Sequence, residues 1–142
     1  MKTGWYNSYE YYVVKPLHNG HEQSLIMGAQ GELFGRWYLV MGIFSDYDTY
    51  DSVFDSNVWD TPTSTDKKPS MKVIPLALEA LSEIEQEIHN HANGKRAYLY
   101  VDGMDKRRLM AYTRILTRKC GYKISTKKSD YVSNAPMLYK KV

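Results

Sequence analysis

RAYLYVDGMDKRRLMAYTRILTRKCGYKI, residues 96–124, decides the fold. It opens on RAYLYVD (96–102), whose apolar run reads as a buried strand. Asp105 is placed to cap a helix, and Leu109, Tyr112, Ile115, Leu116 and Cys120 fall at helical spacing on the side that faces inward. Gly121 stops the helix, because glycine enters the left-handed conformation without a Cβ penalty. A strand leading directly into a packing helix implies a sheet with helices laid on it. The same helix puts Arg107, Arg114 and Arg118 on one polar face, with Lys106, Arg108 and Lys119 around them. Such a face is either a solvated surface or a set of phosphate contacts. No nucleic-acid recognition motif accompanies the charge, so the helix reads first as a packing element.

Upstream, Val73, Ile74, Ala77, Leu78, Leu81, Ile84 and Ile88 recur at spacings of three and four, the period of an amphipathic helix. Pro75 fits only in its first turn, and Asn93-Gly94 ends it. Before that helix lies DYDTYDSVFDSNVWDTPTSTDKKPS (46–70), a polar stretch without a period and long for a connection. Its acidic and aromatic residues, from Asp46 and Tyr47 to Trp59 and Asp60, read as an exposed loop or a partner-binding surface. Its end, Asp66-Lys67-Lys68-Pro69-Ser70, leads into the helix start, where backbone N–H groups and two lysines make an anion site. It is not a P-loop, since the glycines and the Gly-Lys-Ser/Thr ending are missing.

The N-terminal third reads as an antiparallel meander. YEYYVVKPL (9–17) is rich in aromatic and β-branched residues, and Asn19-Gly20 is a hairpin turn signal. HEQSLIM (21–27) is then a returning strand, with a short amphipathic helix as the alternative. Gly28, Gly31 and Gly35 punctuate a loop-rich segment before the strand RWYLVMGIF (36–44). At the other end, KIS (123–125) and MLYKKV (137–142) are closing strands, separated by Asn134-Ala135-Pro136. The order β-β-β, long loop, α-β-α-β-β predicts one α+β (α/β-like) domain over residues 1–142.

Composition narrows the function classes. The 142 residues are enough for one real core. The 13 tyrosines favour strands and contact surfaces without naming a ligand. Residues 1–65 hold 3 Lys/Arg against 8 Asp/Glu (−5), and residues 66–142 hold 16 against 8 (+8), which recovers the net +3. The basic C-terminal half therefore points to an anionic partner, either nucleic acid or a phosphorylated cofactor. A single cysteine excludes an internal disulfide, and no leader-like stretch opens the sequence, so a reducing cytoplasm is the expected setting. No apolar run approaches the length of a membrane span. His18-x-x-His21 and His89-x-His91 do not make a metal site, because the second pair would diverge on a helix. Asp46-x-Asp48-x-x-Asp51 lacks the glycine and the bidentate glutamate of a calcium loop.

LALEALSEIEQEI (76–88) and residues 96–124, with the Gly121-Tyr122 exit, resemble the cofactor helix, following strand and final long helix of the GNAT acetyltransferase superfamily. The resemblance covers residues from about 70 to 142, and the meander fits the strands that precede that helix. It implies an acetyl-CoA-dependent transfer of an acetyl group to an amine. It also implies a mixed sheet flanked by helices and a pyrophosphate-holding loop at Pro69-Ser70-Met71-Lys72-Val73-Ile74. Cofactor contacts would then come from Lys67, Lys68, Ser70, Met71 and Lys72. The family's tyrosine acid position is Thr117 here, so Tyr112 is the substitute donor. Short members of this kind are frequent among bacteriophage proteins. That implies, as the alternative, a non-catalytic virion component or an inhibitor of a host defence complex, acting by protein or nucleic-acid binding.

Overall fold

The computed structural model describes residues 2–17, 23–44, 69–103 and 106–142. The chain forms β1 (Gly4–Asn7), β2 (Glu10–Pro16), β3 (Ser24–Gly31) and β4 (Arg36–Phe44), then α1 (Pro69–Ala92), β5 (Tyr98–Val101), α2 (Lys106–Lys119), β6 (Lys123–Lys128) and β7 (Pro136–Lys141). A short 3-10 turn at Leu33–Gly35 joins β3 to β4. The strands make one seven-stranded mixed sheet in the order β1-β2-β3-β4-β5-β7-β6. The meander β1–β4 is antiparallel, β5 lies parallel to β4, and β7 pairs antiparallel with both β5 and β6. This is the α+β plan read from the sequence.

Alternation along the strands separates two faces of the sheet. One carries Tyr11, Val13, Met27, Ala29, Trp37, Leu99, Val101 and Leu138, which pack with Ala80, Leu81, Ile84 and Ile88 of α1 and with Leu116 of α2. Both helices therefore lie on this face. Two ion pairs and a hydrogen bond then fasten α1: Lys15 Nζ stands 3.3 Å from Glu79 and 2.8 Å from Glu83, and Trp5 Nε1 donates to Glu87 at 3.1 Å. At its end His91 stacks on Trp5 with ring centroids 4.4 Å apart and meets Trp37 edge-on.

Four expectations need correction. Gly28 and Gly31 do not punctuate a loop; they belong to β3. Gly28 stands opposite Tyr12, and a Cβ there would lie 2.1 Å from a Tyr12 ring carbon and 2.8 Å from the Tyr11 carbonyl oxygen. It is a strand glycine kept by close approach, not by turn geometry. Pro75 is not in the first turn of α1, because the helix already begins at Pro69. The missing Pro75 N–H therefore costs one internal helix bond, which the packing of the later turns offsets. Pro69–Ile74, expected as a loop, are helical for the same reason. Finally, the strand expected over 123–125 runs on through Thr126–Lys128 as β6, where lysines suit an exposed edge. The Asn19-Gly20 turn, the histidines 18 and 21, the acidic stretch 46–60, Lys67, Lys68 and the Asp105 cap lie outside the described residues.

No helix among the described residues is long and apolar enough to cross a membrane.

Candidate functional site

The site is set by how the two halves of the sheet join. β3 and β4 are in register over eight residue pairs, from Ser24 opposite Phe44 to Gly31 opposite Trp37. On its other side β4 meets β5 over only three pairs, Arg36 with Tyr98 to Tyr38 with Tyr100. β4 runs six residues beyond Tyr38 and β5 ends at Val101, so the carboxyl-end half of β4 has no strand partner there among the described residues.

Helix direction brings further chemistry to the same edge. Lys15, near the end of β2, pairs with Glu79 and Glu83 around the middle of α1, whereas His91 near its end meets Trp37 at the start of β4. β2 and β4 run in the same direction, so α1, which lies over β2 and β3, runs against both and points its N-terminus toward the carboxyl side of the sheet. α2 begins five residues after the end of β5 and also returns against it. Both helices thus point their N-termini, which carry a partial positive charge, toward the carboxyl side of the parallel pair, α1 from over β2 and β3 and α2 from the exit of β5. Gly103 belongs to this turn: a Cβ on it would meet the Leu109 backbone at 2.7 Å, so only glycine lets the β5 exit lie against α2. Asp102 holds the exit from both sides, its carboxylate accepting from Gly103 N–H at 2.8 Å and from Asp130 N–H at 2.9 Å.

A second feature is an open groove of about 660 Å³ between α2 and the β6–β7 hairpin. Leu109, Met110, Ile124, Pro136 and Leu138 give it an apolar floor, with Met110 and Ile124 well exposed. Lys106, Arg114 and Arg118 stand along its α2 wall. The hairpin wall is built by Ser129, whose Oγ accepts from the N–H groups of Tyr131 (3.1 Å) and Val132 (2.9 Å).

The expected site residues divide between these features. Arg114 and Arg118 share the groove with Lys106, while the Arg107 side chain lies outside the described residues, as do those of Ser70, Met71 and Lys72 in the first turn of α1. Tyr112 is half-buried and packs against the core from the inner side of α2. The Thr117 hydroxyl donates to the Thr113 carbonyl at 2.6 Å, so it is held by its own helix. Cys120 is half-buried beside Glu85; burial first, and that carboxylate second, push its thiol above the usual range, which disfavours a nucleophilic thiolate. The most perturbed phenol is Tyr122, raised by burial, by the Glu85 charge and by a 2.7 Å bond to Glu85. It joins α1 to the β6–β7 half, because Glu85 also holds Lys140 at 2.8 Å. Among the described residues no group of His, Cys, Asp or Glu is placed to hold a metal.

Sequence reasoning missed the short β4–β5 register and the place of Lys106, Met110 and Ile124 in one groove. The brevity of RAYLYVD beside the nine-residue RWYLVMGIF was the only available signal for the first. Compared with known proteins, the chain matches no family model, no curated sequence and no solved structure.

Proposed function

We propose that the chain is an acyl-CoA-dependent N-acetyltransferase on a GNAT-like plan, transferring an acetyl group to an amine. The observation that carries this reading is the parallel β4–β5 pair that parts beyond Tyr38, with both helices running against it so that their N-termini point toward its carboxyl side. Ligands of open sheets containing parallel strands sit at the carboxyl ends of those strands, and helix N-termini favour phosphate there. The order of meander, helix, parallel strand, helix and closing hairpin agrees with the resemblance.

The donor set fits a diphosphate: amides of the first turn of α1, where no glycine is needed to expose them, and the lysines that precede it. Lys67, Lys68, Ser70, Met71 and Lys72 are the residues assigned to hold the cofactor. Acetyl-coenzyme A would supply an activated acetyl thioester. The open carboxyl edge of β4 would orient the amine toward the acetyl carbon, with the carbon–nitrogen bond forming as the carbon–sulfur bond breaks. A base would take the amine proton, and the Tyr112 hydroxyl would give a proton to the departing sulfur. Calorimetric titration with acetyl-coenzyme A is the test. Micromolar binding, weakened at least about tenfold by Lys67→Ala/Lys68→Ala, is expected. No heat from demonstrably folded protein would remove the cofactor and with it this reaction.

The α2 groove favours a second reading, a non-catalytic bacteriophage protein that engages an anionic surface of a virion or of a host defence complex. Lys106, Arg114 and Arg118 beside an apolar floor suit a partner carrying carboxylates next to apolar side chains. On either reading the protein works inside the bacterial host or, as a structural part, in the virion.

A further inference from the structure

We propose that the sheet face opposite the helices binds single-stranded nucleic acid across β4, β5, β7 and β6. This surface is distinct from the β4–β5 edge assigned to acyl transfer and does not depend on it.

Register alone assembles the surface. Tyr38 stands opposite Tyr100, Tyr100 opposite Tyr139, and Tyr139 opposite Lys123, making one row across all four strands. The neighbouring row is Arg36, Tyr98 and Lys141. Residues directly opposite one another point to the same side, and these alternate with Trp37, Leu99 and Leu138 on the helix-covered side. The rings form a ladder: Tyr38 and Tyr100 have centroids 5.5 Å apart and planes 23° from parallel, and Tyr100 and Tyr139 are 6.0 Å apart at 26°. Lys127 crosses above them, donating to the Tyr38 hydroxyl, with its ammonium 4.7 Å from the Tyr38 ring centroid and 5.8 Å from that of Tyr100. The tyrosines are half-buried, and Arg36, Lys123 and Lys141 are exposed.

Charge identifies the occupant. The four strands contain Arg36, Lys123, Lys127, Lys128, Lys140 and Lys141 and no aspartate or glutamate. Of these, Lys140 is turned to the helix side and paired with Glu85, and Lys128, opposite Pro136 of the α2 groove, is turned to that side too. A cationic surface with planar rings between the cations matches a chain of phosphates carrying bases that can stack. An acidic protein surface would answer the charge and leave the row of rings without a role. Tyrosine has only two side-chain torsions, so turning a ring to meet a base costs little entropy. A duplex keeps its bases stacked inside and would offer the phosphates alone.

The test is fluorescence anisotropy with a labelled oligouridylate or oligothymidylate of about 12 nucleotides, within the range of known single-strand sites. A duplex of the same length is run beside it, over a series of salt concentrations. Micromolar binding of the single strand, at least about tenfold tighter than the duplex, is expected. Tyr100→Leu weakens it about tenfold, and so does Tyr139→Leu. Arg36→Gln/Lys123→Gln/Lys141→Gln touches only exposed side chains and keeps the fold. It lowers the salt dependence by about two phosphate contacts, at roughly 0.7 per contact for single strands. Arg114→Gln/Arg118→Gln changes nothing. No binding by the folded protein, or equal binding of the duplex, would overturn the proposal. So would binding lost only with the Arg114/Arg118 variant, which would move the anion site to the α2 groove.

Discussion

β4 is bordered by two different junctions. On the β3 side, eight cross-strand pairs and the α1 contacts lock β1–β4 and α1 into one block. On the β5 side, only three cross-strand pairs join β4 to β5, and the packing of Leu99, Val101, Leu116 and Leu138 into the shared core completes the attachment of β5, α2, β7 and β6. The first block buries Leu81, Ile84 and Ile88 under a helix whose four glutamates Glu79, Glu83, Glu85 and Glu87 all reach side chains beyond it. The second exposes a cation-walled groove on one face and tyrosine rows on the other. Stability and recognition are thus assigned to different halves, and Glu85 with Tyr122 and Lys140 is a polar link between them.

Substitutions can break or sharpen this division, and their effects should fall in a definite order. Ile84→Ala, at a position without solvent exposure, should cost about 3 kcal/mol in denaturant unfolding, because the cavity lies between α1 and the sheet. Gly28→Ala should cost about 2 kcal/mol or more, since the fully buried Tyr12 ring and the Tyr11 carbonyl both stand where the new methyl would go. Tyr122→Phe tests the link and should cost about 1.5 kcal/mol at neutral pH, the range of a hydrogen bond to a charged acceptor. It should also change the alkaline limb. The folded state raises the Tyr122 phenol well above 10.0, so the folded chain keeps a proton that the unfolded chain loses. That stability is fully present below pH 10 and falls as pH rises past it, by about 1.4 kcal/mol per pH unit. Tyr11, raised mainly by burial, acts in the same direction. The Phe variant should therefore show a flatter decline above pH 10; equal slopes would mean that Tyr122 already ionises in the folded state. Arg114→Gln/Arg118→Gln should shift stability by less than about 0.5 kcal/mol, as exposed groove residues do. A large loss there would contradict the division.

The elements were legible where period and punctuation agreed. The 3-and-4 spacing of Leu81, Ile84 and Ile88 gave α1, and Gly121 with φ +77° ends α2 as read. Asn93 (φ 49°) and Gly94 (φ 86°) likewise end α1. Gly28 was misread because a glycine in a strand and a glycine in a loop look alike until the cross-strand neighbour is known. Pairing was the part a linear pattern does not carry. Tyr38, Tyr100 and Tyr139 are far apart in sequence, and only the insertion of β7 between β5 and β6 aligns them. The same holds for the site: Arg114 and Arg118 were visible as one helix face, but the groove needs Ile124 and Pro136 from the hairpin.

Amide hydrogen exchange with and without acetyl-coenzyme A tests the central claim most directly, because it reads both junctions of β4 at once. In the free protein, amides bonded across β3–β4 should exchange slowest, and those of Leu39–Phe44 on the β5 side faster. Ligand should slow exchange at the carboxyl end of β4, at the exit of β5 and in the first turns of α1 and α2, leaving the α2 groove and the tyrosine rows unchanged. Unaltered exchange at that edge under saturating ligand, or protection confined to the groove or the tyrosine rows, would contradict the account.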